Sequence, residues 1–265
     1  MTSMIGVFDS GLGGLTVLTQ LKIHYPKLSL LYVADQHYSP YGNKPAELIV
    51  QRCRSITQWL VDQGCSVIVV ACNTATALAI ELLREEFDLP IVGVEPGVKP
   101  AALSSQCKKI AVLATENTVS SQRYSELLSR FLPSVTVVSQ RCVGLADAIE
   151  HSSEQLPRLI KKYCQPLVAE GVDHIVLGCT HYPLITDQIL TALGKPVAIV
   201  DTGRAVANYA FHCYQQLGIQ PRIAETAIYT TSAAEQCKAM LLNYELLQPL
   251  RNVPVYALAH SELTC

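Results

Sequence analysis

Short runs of apolar, mostly β-branched residues recur along the chain, and the longer segments between them are amphipathic. Runs of this length are typical of strands covered on both faces, and the intervening segments are long enough for crossover helices. The pattern predicts an α/β fold with mostly parallel sheets. The predicted strands are MIGVF at 4–8, LLYVA at 30–34, VIVVA at 67–71, PIVGV at 90–94, IAVLA at 110–114, HIVLG at 174–178 and PVAIV at 196–200.

The chain also resembles itself. QGCSVIVVACNT at 63–74 aligns without a gap with EGVDHIVLGCTH at 170–181, which places Cys72 on Cys179 at an offset of 107. Two further pairs align at nearly this offset: LPIVGVEPG at 89–97 with KPVAIVDTG at 195–203, and IGVFDS at 5–10 with IAVLAT at 110–115. We interpret these matches as an internal duplication of about 106 residues.

The duplication predicts two pseudo-symmetric α/β domains that pack around a crevice holding the active site. Two copies leave a tail from about residue 208, which we expect to pack back on the first domain. The predicted N-terminal domain is therefore discontinuous, comprising 1–96 and 208–265, and the second domain spans 97–207.

Composition excludes several classes of protein. With 265 residues, 49% hydrophobic and 16% charged, the chain is neither a disordered chain nor a disulfide-built miniprotein. A net charge of −2 without a basic cluster predicts no nucleic-acid partner and no anionic membrane partner. The apolar runs are too short for a membrane helix, and the N-terminus does not read as a secretory signal. We expect a soluble, cytoplasmic protein.

The ten cysteines contain no CxxC pair, so the usual zinc and redox spacings are absent. In a reducing compartment such a set more often combines buried apolar cysteines with a few reactive ones. Cys72 and Cys179 each follow a predicted strand directly. The others lack this context and are expected to be structural: Cys53, Cys65, Cys107, Cys142, Cys164, Cys213, Cys237 and Cys265.

In parallel α/β sheets, ligands bind beyond the carboxyl ends of the strands, where Cys72 and Cys179 lie. A thiol at the start of a following helix feels the positive end of the helix dipole, which lowers its pKa, so we expect both sulfurs to be reactive. The alternative is a small hydrophobe at the end of a buried strand. The matched positions in the duplication, and the polar residues that follow each cysteine, favour reactivity.

Two equivalent thiols facing one crevice suit the inversion of a stereocentre. Such a reaction needs one group to remove a proton from one face and another group to deliver a proton to the opposite face. A metal site would recruit three or four ligands, and Cys179 with His181 supplies only two, so no metal is expected.

The first predicted strand ends in the glycine-rich turn DSGLGG at 9–14. A dinucleotide fingerprint fails on spacing, because Thr16 stands where GxGxxG requires its third glycine. A tight glycine turn still exposes backbone N–H groups at a helix start, which suits an anion such as a carboxylate. Asp9 is placed to bind an ammonium group or to assist a neighbouring thiol. The alternative is a helix N-cap followed by turn glycines.

The loop SPYGNK at 39–44 follows the second strand beside the same crevice edge. It offers the Tyr41 hydroxyl and the Gly42 N–H as donors, although an ordinary turn has the same composition. Glu150 and His181 are two further ionisable groups in the second half. A lone glutamate on a helix usually lies on a solvated face.

These residues together resemble the glutamate racemase family of peptidoglycan biosynthesis. The matching motifs occur in family order and span nearly the whole chain: IGVFDSGLGGLTVL at 5–18, YGNK at 41–44, VVACNTATA at 69–77, GCTHYPL at 178–184 and YTTSAAEQ at 229–236.

The resemblance implies two α/β domains with the active site between them, and cofactor-independent interconversion of L- and D-glutamate. The catalytic cysteines map onto Cys72, which acts on the D-isomer, and Cys179, which acts on the L-isomer. The assisting groups map onto Asp9 beside the first thiol, and onto Glu150 and His181 beside the second. Substrate contacts map onto Asp9, Ser10, Tyr41, Gly42, Asn73, Thr74, Thr115, Thr118, Thr180 and His181.

The resemblance implies L- and D-glutamate as the partners and no cofactor, and dimers are common in the family. The sequence departs from the family pattern in ATENTVSS, where Glu116 and Asn117 stand in place of a common glycine. Members activated by a cell-wall precursor have a longer N-terminal extension, so activation of that kind is not expected here.

Two alternatives remain open at this point. One is a related enzyme of the same superfamily, such as an aspartate or hydantoin racemase, or a decarboxylase that uses one thiol. The paired thiols disfavour the decarboxylase. The other is a non-catalytic binding protein on the same scaffold, which the intact Cys72, Cys179 and Asp9 disfavour.

Overall fold

The computed structural model describes residues 4–218 and 224–263, which form helices and two parallel sheets. The strands are β1 Met4–Asp9, β2 Leu30–Ala34, β3 Cys65–Val70, β4 Ile91–Gly93, β5 Lys109–Ala114, β6 Thr136–Arg141, β7 His174–Gly178, β8 Ala198–Val200, β9 Thr226–Thr230 and β10 Val255–Ala257. The α-helices are α1 Leu15–His24, α2 Ala46–Asp62, α3 Asn73–Glu86, α4 Val98–Ser104, α5 Glu116–Val119, α6 Gln122–Ser129, α7 Leu145–Glu150, α8 Leu156–Ala169, α9 Thr186–Leu193, α10 Gly203–Gln216 and α11 Ala234–Asn243.

The two sheets share the order of four parallel strands. The first has the strand order β10-β9-β2-β1-β3-β4 and the second has β6-β5-β7-β8, with parallel pairing throughout the described strands. The order β2-β1-β3-β4 in the first half therefore recurs as β6-β5-β7-β8 in the second. The predicted α/β fold with two pseudo-symmetric halves is confirmed.

The tail adds β9 and β10 to the first sheet, beside β2. The helix α10 packs against α1, β3 and β4, so it covers the same sheet. The predicted boundary between 207 and 208 falls inside α10, and the domain ranges stay a prediction.

Each sheet is covered on both faces because its strands are apolar on both faces. In β1, Ile5 and Val7 face one cluster, which includes residues of α1 and α10. Phe8 faces the opposite cluster, formed with α2 and α3. The strands β5 and β7 divide in the same way between two clusters of the second half. This two-sided burial explains the uninterrupted apolar runs in the sequence.

The two halves exchange a helix. The helix α4 follows β4 of the first sheet but packs on β5 and β7 of the second, whereas α10 follows β8 and packs on the first sheet. The two crossing segments touch, because a Cβ on Gly97 would lie 2.7 Å from Val200 Cγ1. Only a glycine fits this close approach.

The strand β6 escapes prediction from the apolar pattern because Thr136–Arg141 is half-buried or exposed along its length. Its position at the edge of the second sheet leaves one side unpaired, so fewer of its residues need to be apolar. In the part of the chain that the structure describes, no helix is both long and apolar enough to span a bilayer.

A buried ion pair anchors the loop that follows β2. Asp35 is fully buried, and both of its carboxylate oxygens accept hydrogen bonds from the Arg52 guanidinium, from Nε at 2.9 Å and from Nη2 at 2.9 Å. The Tyr41 hydroxyl donates to the same carboxylate at 2.5 Å. The pair therefore joins α2, β2 and the turn Tyr41–Asn43 at the carboxyl edge of the sheet.

We expect Arg52→Ala to lower the free energy of unfolding by about 3–5 kcal/mol, because it leaves the Asp35 carboxylate buried without its counter-ion. Urea unfolding measures the change. The matched control is Arg54→Ala on the same helix, whose ion pair with Glu86 is exposed and should contribute about 1 kcal/mol or less. Equal losses in the two variants would contradict this role of the buried pair.

Candidate active site

The first thiol lies where β3 gives way to α3. Cys72 caps the N-terminus of α3, and its Sγ accepts a hydrogen bond from the Ala75 N–H at 3.4 Å. The Ser10 hydroxyl lies 3.7 Å from the same sulfur. The side chain is only 5% exposed, so a substrate reaches it only when the surrounding elements move apart.

The helix position of Cys72 does not dominate its acidity. Burial raises the pKa of the Cys72 thiol well above its usual value, and the negative charge of Asp9 raises it further. The Ala75 N–H and the Ser10 hydroxyl lower the pKa, but by less. The helix start lowers this pKa as expected, but the cost of burying a thiolate exceeds the benefit of the cap, so the net shift is upward.

The second thiol has a different environment. Cys179 directly follows β7, but the next element is a 3₁₀ turn, Tyr182–Ile185, and α9 begins only at Thr186. The expectation that Cys179 starts a helix is therefore wrong. Its sulfur lies 3.7 Å from His181 Nδ1, and the side chain is 7% exposed.

A buried histidine and glutamate continue from Cys179. His181 Nε2 and Glu150 Oε2 are 2.6 Å apart. Both side chains are buried, with exposed fractions of 2% for His181 and 0% for Glu150. Burial alone would lower the pKa of His181, but its contacts with Cys179 and Glu150 outweigh burial and raise the pKa well above the usual value. The contacts with Cys179 and Glu150 therefore favour the protonated form of the His181 imidazole.

Glu150 does not lie on a solvated face. It ends α7, and its two carboxylate oxygens accept the Leu12 N–H at 3.2 and 3.0 Å. Leu12 belongs to the glycine turn of the first half, so this contact crosses the crevice. A Cβ on Gly13 would lie 2.8 Å from Cγ of the His181 ring, so only a glycine allows the turn to approach this closely.

Asp9 is the buried carboxylate beside Cys72. Its carboxylate accepts the N–H groups of Gly14 at 2.9 Å and Gly11 at 3.3 Å, and the Thr180 hydroxyl of the second half at 3.5 Å. Burial raises the pKa of Asp9, although the charge on His181 opposes this effect. The N–H groups of Gly11, Leu12 and Gly14 thus bond to the protein's own carboxylates, and the expectation that they are open to a ligand anion is wrong for these three.

Three threonines meet across the crevice. The Thr74 hydroxyl at the start of α3 lies 2.9 Å from that of Thr115 and 3.3 Å from that of Thr118, and the last two are 2.9 Å apart. Beside them, Asn73 Oδ1 is buried without a hydrogen-bond partner in the described part of the structure. These groups offer hydroxyls and an amide to a polar ligand.

The loop at 39–44, which was predicted to contact the substrate, directs its tyrosine hydroxyl away from the crevice. The Tyr41 hydroxyl donates to Asp35, so its predicted role as a donor in the crevice is wrong, and any contact with a ligand falls to the backbone. Gly42 lies against Thr115 of the second half. Asp35 was missed in the sequence, although it directly follows β2 just as the first strand ends in Asp9.

Most of the remaining cysteines are structural, as expected. Burial raises the pKa of Cys65 and Cys237 to about 12 and that of Cys164 to about 11. The others that are buried and free are Cys53, Cys142 and Cys213. Cys107 is exposed rather than in the core, and Cys265 lies outside the described residues.

Two similar α/β halves, each with a buried cysteine at the end of an equivalent strand, are the arrangement expected of a racemase. Comparison with known families gives the same class. A family model described as Asp/Glu/Hydantoin racemase matches residues 19–210. This match covers most of the chain, including both thiols, His181 and Glu150.

Comparison with individual proteins narrows this family to one enzyme. The chain is 44% identical over 244 residues to the glutamate racemase of Ectopseudomonas mendocina (strain ymp), covering 89% of this chain and 92% of the relative. The structure of Escherichia coli glutamate racemase, solved in complex with L-glutamate and the activator UDP-MurNAc-Ala, superposes with a TM-score of 0.84 at 30% identity, covering 98% and 99% of the two chains.

The Francisella tularensis glutamate racemase, solved in complex with D-glutamate, gives a TM-score of 0.82 at 25% identity, with 98% of each chain covered. The chain therefore belongs to the glutamate racemases of the Asp/Glu/Hydantoin racemase family. The predicted enzyme class, an amino-acid racemase, is confirmed.

We expect Gly13→Ala to reduce turnover by about 100-fold with the fold intact, because the added methyl displaces the His181 ring from Cys179. The variant is assayed by enantiomer analysis, and circular dichroism checks its fold. Gly203→Ala is the matched control, since its Cβ would lie at an ordinary 3.4 Å from Asp201. A Gly13→Ala enzyme as active as this control would contradict the close packing of Gly13 on the His181 ring.

Proposed function

We propose that the protein interconverts L-glutamate and D-glutamate by proton transfer through Cys72 and Cys179, and so supplies D-glutamate for peptidoglycan synthesis. One observation carries the proposal. In a chain that belongs to the glutamate racemases, the two halves of a repeated fold each place a buried cysteine at the carboxyl end of the equivalent strand, β3 or β7. The relatives solved with L-glutamate and with D-glutamate support the same substrate pair.

The unequal surroundings of the thiols supply the two protonation states that inversion requires. The imidazole of His181, whose pKa is raised, lies beside the sulfur of Cys179, whereas burial and the negative charge of Asp9 favour the protonated thiol at Cys72. A racemase needs one basic group and one acidic group before each turnover. We assign Cys179 as the base that acts on L-glutamate.

In the forward step, the Cys179 thiolate removes the α-proton of L-glutamate, and the Cys72 thiol delivers its proton to the opposite face of the α-carbon. The product is D-glutamate, Cys179 is left as a thiol, and Cys72 is left as a thiolate. The reverse reaction exchanges these roles. Negative charge that develops on the substrate during transfer is stabilised by nearby hydrogen-bond donors. The groups that we assign to this binding are Ser10, Gly42, Asn73, Thr74, Thr115, Thr118 and Thr180, with the Tyr41 backbone.

The assisting carboxylates have separate tasks. Glu150 raises the pKa of His181 and orients its ring, so that Nδ1 faces the sulfur of Cys179. Asp9, beside Cys72, has a raised pKa and is placed to bind the substrate ammonium group or to accept a proton from that thiol. Closure of the two halves over the substrate excludes water, which strengthens these electrostatic interactions.

We also propose that the protein works in the cytoplasm, where the nine free cysteines of the described residues stay reduced. A homodimer is a further proposal, which sedimentation analysis in solution tests directly.

The purified protein should convert either glutamate enantiomer to the racemate without an added cofactor, and it should leave L- and D-aspartate unchanged. Chiral chromatography measures this. Cys72→Ser and Cys179→Ser should each lower racemisation by at least about 1,000-fold, because a serine hydroxyl is a far weaker acid than a thiol. Cys107→Ser, which changes an exposed cysteine, is the control and should keep full activity. Wild-type turnover in either active-site variant would overturn the two-base assignment.

Isotope labelling distinguishes two bases from one. In D₂O, each thiol exchanges its proton for deuterium, so the thiol that delivers to the opposite face labels only the inverted product. Early in the reaction, deuterium should therefore appear mainly in the product enantiomer, as measured by mass spectrometry after chiral separation. Equal early labelling of the recovered substrate would indicate a single mobile base.

A further inference from the structure

Asn117 lies in the short helix α5 of the second half and reaches across the crevice. Its Nδ2 donates to the backbone carbonyl of Tyr41 at 2.9 Å and to that of Lys44 at 3.0 Å. Carbonyl oxygens only accept hydrogen bonds, so the NH₂ end of the amide must face them. Both N–H groups of Asn117 are thus used on one loop of the opposite half.

The loop held by Asn117 is the one that bounds the proposed substrate site. Its turn Tyr41–Asn43 packs on α5, and Gly42 lies against Thr115, one of the three threonines that meet across the crevice. On its other side the loop is fixed to the first half, because the Tyr41 hydroxyl donates to the buried Asp35. The loop is therefore anchored to the first half by the Tyr41 hydroxyl and is joined to the second half by the hydrogen bonds of Asn117.

We propose that Asn117 is a latch that closes the crevice by binding the 41–44 loop once substrate is inside. Substrate entry must separate the two thiols from their cover, since both are almost fully buried. Separation of the halves at this point breaks the two Asn117 hydrogen bonds, and closure restores them. Asn117 is then a positioning residue that does not touch the substrate. This inference rests on the proposed function.

The latch contributes equally to the bound ground state and to the transition state, since the crevice is closed in both. Interactions of that kind lower KM and leave kcat nearly unchanged. Two neutral hydrogen bonds are broken on opening, and their loss should raise KM by about tenfold. The two enantiomers have an equilibrium constant of one, so kcat/KM must fall by the same factor in both directions.

The test uses three variants of the full-length enzyme. Asn117→Ala removes both donors, and Asn117→Asp keeps the shape but sets a carboxylate against two carbonyl oxygens. Ser120→Ala is the control, because this exposed residue follows α5 and its hydroxyl bonds only to Glu116 among the contacts described. We expect KM to rise about tenfold in Asn117→Ala and further in Asn117→Asp, with kcat within about threefold of the wild type. Ser120→Ala should keep both parameters.

A merely structural role for Asn117 would lower the melting temperature or the active fraction without changing KM. KM values within twofold of the wild type in both Asn117 variants would overturn the latch, as would an equal rise in Ser120→Ala.

Amide hydrogen exchange provides a readout that is independent of turnover. With glutamate at saturating concentration, the Lys44 amide, which bonds to the Tyr41 carbonyl within the loop, should exchange faster in Asn117→Ala than in the wild type. Unchanged exchange of residues 41–44 would count against the latch whatever the activity. A wild-type protein that fails to racemise glutamate while loop exchange still depends on Asn117 would instead refute the proposed function.

Discussion

The buried carboxylate of Glu150 is the interaction on which the site depends. It accepts an N–H from Leu12 of the first half and pairs with His181 of the second, out of reach of solvent. A buried charge is tolerated only when its partners are in place. The series of contacts from Glu150 through His181 to Cys179 is therefore complete only when the two halves are closed on each other, which ties the chemistry of the site to its conformation.

The fold is nearly symmetric, but the chemistry of its two thiols is not. Cys72 caps a helix and lies beside Ser10 and Asp9, whereas Cys179 precedes a 3₁₀ turn and faces the His181 imidazole. The duplicated strands thus supply matching positions for the sulfurs, and the unmatched residues around them give the two sulfurs different electrostatic surroundings. A racemase can use this combination, because its substrates are mirror images while its two acid-base groups must differ in charge at any moment.

Much of this structure can be predicted from local patterns. All seven apolar runs contain strands, since a strand buried on both faces leaves an apolar run in the sequence. The edge strand β6 leaves no such run, because it is half exposed. The positions of Cys72 and Cys179 follow from the duplication. The pKa of Cys72 does not, since burial by distant segments sets it.

The partners of the site residues are the least predictable part. The contact between Leu12 and Glu150 joins residues 138 positions apart, and no spacing rule connects them. The hydroxyl of Tyr41 was expected in the crevice, but the buried Asp35 takes it. The hydrogen-bond partner of a site residue depends on which buried charges must be neutralised, and the whole fold determines where those charges lie.

The exchanged helices have a consequence for how the molecule opens. The chain passes between the halves just before α4 and just before α10, and these two passages touch at Gly97 and Val200. A rotation about an axis through this contact point parts the far side of the crevice while every strand ladder stays whole. Admitting a small molecule in this way costs the polar contacts that span the gap and the apolar contacts of Leu184 and Tyr244, which pack against a core cluster of each half.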